Sequence, residues 1–319
     1  MPAVASRPSP ERLFARVGGV ILTSALLSRH GFVHGFSTRE GGVSEGPFAS
    51  LDLSHGLGDD EAAVEENRAR FFGRLGLAPA RAFEASQVHG ASIRIVTSVD
   101  EAAAVRAEEA DALAAFEPGL GVFVRTADCV PVLLAHPESG AVAAVHAGWR
   151  GAVAGIVPKT LRILASRLAT EPASWVAAIG PHIRVGAFEI GDEVAAAMEE
   201  AAPPGATVVS RDFPRPHGDL TALVVAQLRE LGLPAEAIDD VGGCTHDEPG
   251  RFFSHRRDAG RTGRHLSGIV ARDRVDAGPE GARPGGRDRG EHAEHDQADR
   301  DTDPPPLVVE VGLGPDLGP

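Results

Sequence analysis

The sequence predicts an α+β fold, a single domain in which a mixed β-sheet is flanked by helices. Strand-like and helix-like segments interleave between residues 18 and 270 without the strict strand–helix–strand beat of a doubly wound parallel sheet. Two apolar runs, "VPVLLA" and "AVAAVHA", flank the turn-rich "HPESG", which reads as a hairpin and brings antiparallel pairing into the sheet. Hydrophobic residues make up 43% of the 319-residue chain, enough to bury a sizeable core.

In order along the chain, residues 1–17 read as a flexible leader with no apolar stretch of the kind a secretory signal needs. Runs rich in Val, Ile, Leu and Phe predict strands at 31–37, 92–97, 120–125, 130–135, 141–146, 175–179 and 238–243. Helical periodicity predicts helices near 60–75, 151–168, 190–201 and 219–231. Residues 271–319 form an acidic tail. From Asp276 to Pro306 it lacks large apolar side chains, so it cannot bury enough surface to offset its ordering entropy and is expected to be mostly disordered. The following "LVVEVGLG" is a short apolar patch able to dock.

The formal net charge is −14, and Lys159 is the only lysine. That balance offers no basic surface for nucleic acid. No run approaches the ~18 apolar residues of a membrane span. Cys129 and Cys244, the two cysteines, form no CxxC pair or disulfide framework, which points to a reducing, cytoplasmic setting.

"TADCVPVLLAHPESGAVAAVHAGWRG" holds the strongest chemical signal. A four-residue loop at 136–139 puts Ala135 opposite Gly140 and Cys129 opposite His146, on one face of the hairpin. Such a pair can be a small buried hydrophobe beside a satisfied histidine, a nucleophile with its base, or two metal ligands. His89, in "QVHG" before another strand, would complete a His/Cys/His set with one open position, as in catalytic zinc sites. Asp128 precedes the cysteine. Loops rich in Gly, Ser and Arg supply candidate anion contacts: Arg39 and Ser44 in "FSTREGGVSEGPFASLDL", Arg150 in "HAGWRG", and His255, Arg256, Arg257 and Arg264 in "GGCTHDEPGRFFSHRRDAGRTGRH". His246 lies in the same stretch, and His182 in "IGPHI" receives no role.

"FSTREGGVSEGPFASLDL", "GDD…ENR", "QVHG", "TADCVPVLL", "HAGWRG", "GP.I" and "FFSHRR…GR" occur in an order that resembles the YfiH/LACC1 family over about residues 20–270. That family is also labelled multicopper polyphenol oxidase, laccase-domain protein or peptidoglycan editing factor. The resemblance implies a CNF1/YfiH-like single domain with a mono-zinc site at His89, Cys129 and His146. It implies purine nucleoside phosphorylase activity on adenosine, inosine and methylthioadenosine with phosphate, together with adenosine deamination. Arg39 and Arg150 match positions suited to anion contact, whereas His182 departs from the family's "GPCI" or "GPAI".

For deamination, zinc would lower the pKa of a water molecule and Asp128 is the candidate proton shuttle, since the H-x-E…P-C-x-x-C signature of other zinc deaminases is absent. For phosphorolysis, Arg39, Arg150, Arg257 and Ser44 are the candidate phosphate contacts. Copper is the alternative metal, because it outranks zinc in intrinsic affinity. The competing readings are a copper-dependent polyphenol oxidase, a cysteine hydrolase that edits peptidoglycan precursors through Cys129, and a non-catalytic nucleoside-binding regulator.

Overall fold

The structure is a computed structural model that describes residues 21–275 and the strand Val308–Val309. The leader expected at 1–17 and the disordered stretch expected at 276–306 lie outside the described residues. Within the apolar patch after them, Val308–Val309 pairs antiparallel with Ile93 and Arg94 at a sheet edge.

The expected mixed pairing and flanking helices are present, but the strands divide between two large sheets instead of one. A seven-stranded sheet runs in the order Ile238–Asp240, Val176–Ile179, Val130–Ala135, Val142–Ala147, Ala112–Ala115, Ile93–Val96 and Val308–Val309. A five-stranded sheet runs Ile21–Leu22, His34–Ser37, His265–Val270, Gly121–Thr126 and Ala82–Phe83. Each combines antiparallel and parallel neighbours.

Strand alternation explains why the sheets face each other. Side chains on a strand point to opposite faces with a period of two. Val130, Val132 and Leu134, with Ala143 and Val145 of the next strand, pack against the helices Ile156–Leu168, Asp192–Ala201 and Leu220–Glu230. Leu133, Ala135, Val142 and Ala144 instead meet Phe36, Val122, Val124 and Ile269 of the other sheet. The outer face of that second sheet, through Phe123 and Leu266, is covered by Phe71, Phe72 and Leu75 of the helix Glu61–Leu75. The layers are therefore helix, sheet, sheet, helix. No described helix is long and apolar enough to cross a membrane.

The helix expected at 151–168 is two helices, Trp149–Val153 and Ile156–Leu168, separated by Gly155 at φ +73°. An unbroken helix would place Pro158 in its interior, where the ring clashes with the carbonyl of residue 154. The break leaves Pro158 in the first turn of the second helix, where proline is tolerated.

The hairpin register also differs. Ala135 pairs with Val142 and Pro131 with His146. The ladder continues to a bond from the His136 N–H to Ala141 O (2.9 Å), so the turn occupies 137–140, one residue later than expected. Moving the turn by one residue shifts paired positions by two, and a shift of two preserves the face. Cys129 is therefore not directly opposite His146. It lies in the bend just before Val130, still on the side of the sheet that carries His146.

Candidate metal centre

His146 ends the strand Val142–Ala147, is 3% exposed, and shares the face that looks toward the second sheet. Cys129 is half-buried in the turn after Asp128, whose φ is +95°. His89, in the loop before Ile93–Val96, is exposed and has a φ of +60°. One ligand atom from each of these residues lies within 4.8 Å of the other two. The two imidazole rings stand edge to face, 4.8 Å apart between centroids.

One carboxylate holds the arrangement. Asp111 is fully buried and accepts a hydrogen bond from His146 Nδ1 (2.8 Å). It also accepts from the backbone N–H groups of Val88 (3.2 Å), His89 (3.0 Å) and Gly90 (2.7 Å). It reaches this position because Ala112–Ala115 pairs with Val142–Ala147, and the His146 N–H donates to Asp111 O (2.7 Å). Binding Nδ1 fixes the His146 tautomer and leaves Nε2 for the centre, the usual second partner of a metal-bound histidine. Burial works to raise the Asp111 pKa, but the hydrogen bond and charge of His146, aided by the loop N–H groups, hold it below the ordinary carboxylate value.

The electrostatics favour a thiolate beside an imidazolium. Burial opposes ionisation of Cys129, yet the charge of His146 and hydrogen bonds from both histidines bring its pKa down to about 6. Burial also opposes protonation of His146, and Cys129 and Asp111 outweigh it, raising its pKa to about 9. The donor set fits a borderline-soft divalent ion: one thiolate, two imidazoles, and a side open to a cavity. The turn is shaped to that set. A Cβ on Gly148 would come within 2.9 Å of His89 Cδ2 and 3.1 Å of Cys129 Sγ. Among the described residues, no other group of three potential metal ligands occurs.

The trio forms part of the wall of a cavity of about 490 Å³. Other walls come from Ser54, His55, Gln87, Arg125, Thr126, Phe188, His255, Arg256 and Arg264. Asp128 lines it too, but both its carboxylate oxygens are engaged, by Thr245 Oγ1 (2.6 Å) and the Arg256 N–H (2.6 Å).

The expected phosphate contacts are elsewhere. Arg39 does not line the cavity; it donates to Ala49 O (2.7 Å) and Pro249 O (2.9 Å) and stacks on Phe253. Ser44 is bound to Asp59 (2.5 Å) and Asn67 (2.8 Å). Arg150 is exposed over the Trp149 ring. Arg257 makes a two-pronged pair with Asp258 and donates to Thr245 O and Phe252 O. Arg39 and Arg257 thus brace the backbone of their own loops, Ser44 ties side chains together, and none of the four lines the cavity. His246 pairs with Asp247 outside the cavity. His182 is fully buried, donates from Nδ1 to Gly180 O (2.8 Å), meets Thr221 Oγ1 through Nε2 (2.8 Å), and is pushed by burial down to about 4. It is a neutral structural histidine.

Asp111, Gln87, Arg125 and Phe188 escaped the sequence reading. Asp111 precedes "ALAA", a strand too alanine-rich to be read as one. Arg125 had a signal: it is the one charged residue of the apolar strand "GVFVRT", immediately before "ADC".

The family model described as multi-copper polyphenol oxidoreductase laccase matches residues 33–272. The chain belongs to this family. A purine nucleoside phosphorylase of Streptomyces coelicolor is 42% identical over 236 residues, covering 74% of this chain and 93% of the relative. Another, of Deinococcus radiodurans, is 40% identical over 231 residues, covering 72% and 86%. Among solved structures of family members, YfiH of Bacillus licheniformis superposes with a TM-score of 0.75 at 31% identity, covering 80% of this chain and 98% of that one. YlmD of Geobacillus stearothermophilus gives 0.72 at 35% identity, covering 76% and 93%.

Proposed function

We propose that this chain is a zinc-dependent purine nucleoside phosphorylase that acts on adenosine, inosine and methylthioadenosine and also deaminates adenosine. The observation that carries the reading is the convergence of His89, Cys129 and His146 on a cavity large enough for a nucleoside, in a chain whose relatives are named purine nucleoside phosphorylases. In phosphorolysis an oxygen of inorganic phosphate forms a bond to C1′ as the C1′–N9 bond breaks. The bonding pair leaves on the purine, which takes up a proton, and the products are free base and ribose 1-phosphate. In deamination, water adds at C6 and ammonia leaves, giving inosine.

Zinc bound at the trio would supply a Lewis acid and lower the pKa of a water molecule. Asp111 keeps His146 Nε2 and the His89 loop aimed at one point. Asp128 anchors the Cys129 turn through its two hydrogen bonds. His255, exposed at the cavity wall with no hydrogen bond to its ring among the described residues, is the group free to pass a proton to the departing base. Phe188, with the Arg256 guanidinium 5.4 Å from its ring centre, lines the same cavity.

The test is incubation of the full chain with adenosine and phosphate, followed by separation of products. Adenine, ribose 1-phosphate and inosine are expected, and Cys129→Ala should abolish them. Their absence at high enzyme concentration would remove the proposal.

A specific observation keeps a second reading in play. Cys129, His146 and Asp111 have the order of nucleophile, base and orienting carboxylate found in thiol hydrolases. His89 favours the metal, because a triad has no use for a second imidazole on the sulfur. A purified protein with no bound zinc or copper and a Cys129 that iodoacetamide modifies at once would favour the hydrolase. Oxidation of a phenol dependent on added copper would favour the oxidase named in the family description.

A further inference from the structure

Arg39, Arg150 and Arg257 do not line the cavity, so the phosphate contact must come from other groups, among them Arg264 of the same Gly- and Arg-rich loop as Arg257. Three residues at one end of the five-stranded sheet meet the requirement. Thr126 lies opposite His265, and Arg125 opposite Leu266. Arg264, the residue before His265, therefore sits at the same strand ends as Arg125 and Thr126. All three line the cavity, as does Cys129.

Thr126 is 2% exposed, and its Oγ1 is buried without a hydrogen-bond partner among the described residues, although the residue forms part of the cavity wall. A buried hydroxyl left unpaired costs desolvation free energy that a ligand would recover. Arg125 is held rigidly: its N–H donates to Gln87 Oε1 (2.7 Å), its carbonyl accepts from Gln87 Nε2 (2.8 Å), and its guanidinium donates to Ala85 O (2.8 Å). The carboxylate beside it, Glu84 at 3.9 Å, is shared with Arg68 and Arg106. Arg264 is fixed through its N–H on Asp52 (2.9 Å) and through Nη1 on Thr262 O and Gly263 O. Burial lowers its pKa, with a smaller contribution from Arg125, while Asp52, Asp128 and Cys129 oppose that. Arg125, Thr126 and Arg264 thus line one end of the cavity, the Thr126 hydroxyl is unpaired, and the one carboxylate paired with Arg125, Glu84, is shared with two further arginines. This is a surplus of donors waiting for an oxyanion.

We propose that Arg125, Thr126 and Arg264 form a phosphate subsite next to His89, Cys129 and His146, and that its occupant is inorganic phosphate. The inference deepens the phosphorylase reading and rests on it for the choice of occupant. A nucleoside 5′-phosphate carries the same oxyanion and is the alternative source. The subsite holds the attacking phosphate at the sheet ends while the nucleoside fills the remaining cavity toward Phe188 and His255.

The test is calorimetric titration of the full-length, metal-loaded protein with inorganic phosphate, with adenosine monophosphate, and with adenosine. Arg264→Gln should weaken inorganic phosphate binding by about 10- to 100-fold, as expected for loss of a charge-assisted contact. It should leave adenosine binding within about twofold, and Arg264→Lys should recover part of the loss. Thr126→Val, which nearly preserves shape, should weaken phosphate by about 3- to 10-fold and serves if Arg264→Gln does not fold. Arg162→Gln, at an exposed helix position, is the charge-matched control. Parental phosphate affinity in folded Arg264→Gln or Thr126→Val overturns the proposal. So does a loss confined to adenosine monophosphate. If phosphate binding falls as expected but no base is ever released, the subsite stands and the phosphorylase reading fails.

Discussion

Replacing Asp111 with asparagine swaps one oxygen for an amide while leaving shape nearly unchanged. In the parent, one carboxylate oxygen accepts from His89 N–H and His146 Nδ1, and the other from Val88 N–H and Gly90 N–H. Whichever oxygen becomes NH₂, two donors then face a donor, and no rotation of the amide avoids it. Leaving two N–H groups of this partly buried cluster unpaired costs up to about 2–6 kcal/mol at about 1–3 kcal/mol each, and the charge opposite His146 is lost as well. Loss of such an outer partner lowers metal affinity by about 10- to 100-fold. Zinc affinity measured by chelator competition, alongside urea unfolding of the metal-free protein, reads both effects. Because Asp111 titrates below its ordinary value in the folded protein, the stability it contributes is present above the unfolded pKa and is lost as pH falls through the folded one. The stability gap between parent and Asp111→Asn should therefore narrow in acid. A folded Asp111→Asn with zinc affinity within about twofold of the parent would refute the account, since the outer partner would then contribute nothing.

Gly148→Ala should reduce zinc affinity at least about tenfold while the fold survives, because the Gly148 backbone (φ −67°) accepts alanine and only the ligand side chains are crowded; chelator competition and circular dichroism separate the two. In metal-free protein, Cys129 should react with iodoacetamide with an apparent pKa of about 6, so the rate climbs between about pH 5 and 7; a midpoint near the ordinary value of 9.0 would show that the histidines do not stabilise the thiolate. The lowered Cys129 pKa adds stability that is lost as pH falls through about 6, and the raised His146 pKa adds stability that is lost as pH rises through about 9. Thermal scans of metal-free protein should accordingly peak between those values. Gly268→Ala would drive a methyl to 2.0 Å from the Phe123 ring and should destabilise the fold by about 3 kcal/mol in urea unfolding, with no direct effect on the metal ligands.

The hairpin was legible because turn residues between two Val-rich runs mark it, and His89, Cys129 and His146 followed from motif spacing. The sequence reading shifted the turn by one residue, yet the face it assigned to Cys129 is the observed one, since side-chain orientation repeats every two positions. "HLSGIV" was missed as the central strand of the second sheet because Ser267 and Gly268 interrupt it. The glycine is there for the Phe123 ring, a contact between residues distant in sequence. Asp111 was hidden for a similar reason: nothing local distinguishes it from its acidic neighbours until Ala112–Ala115 pairs with Val142–Ala147. Of the candidate anion contacts, His255, Arg256 and Arg264 line the cavity, whereas Arg39 and Arg257 do not, because a Gly- and Arg-rich loop looks the same whether its arginine faces a ligand or its own carbonyls.

The Asp111 carboxylate also fixes when in folding the centre can come into being. His89, Asp111, Cys129 and His146 lie on separate segments, and Asp111 meets His146 only once neighbouring strands have zipped. Such long-range closures come late on a folding route, after the loop entropy has been spent. An unfolded or half-assembled chain therefore presents scattered donors with no common focus. Capture of an ion then draws on the completed protein alone, pulling the equilibrium toward it by mass action. In a cell, supply of an ion that this centre binds would thus act on the amount of the folded protein.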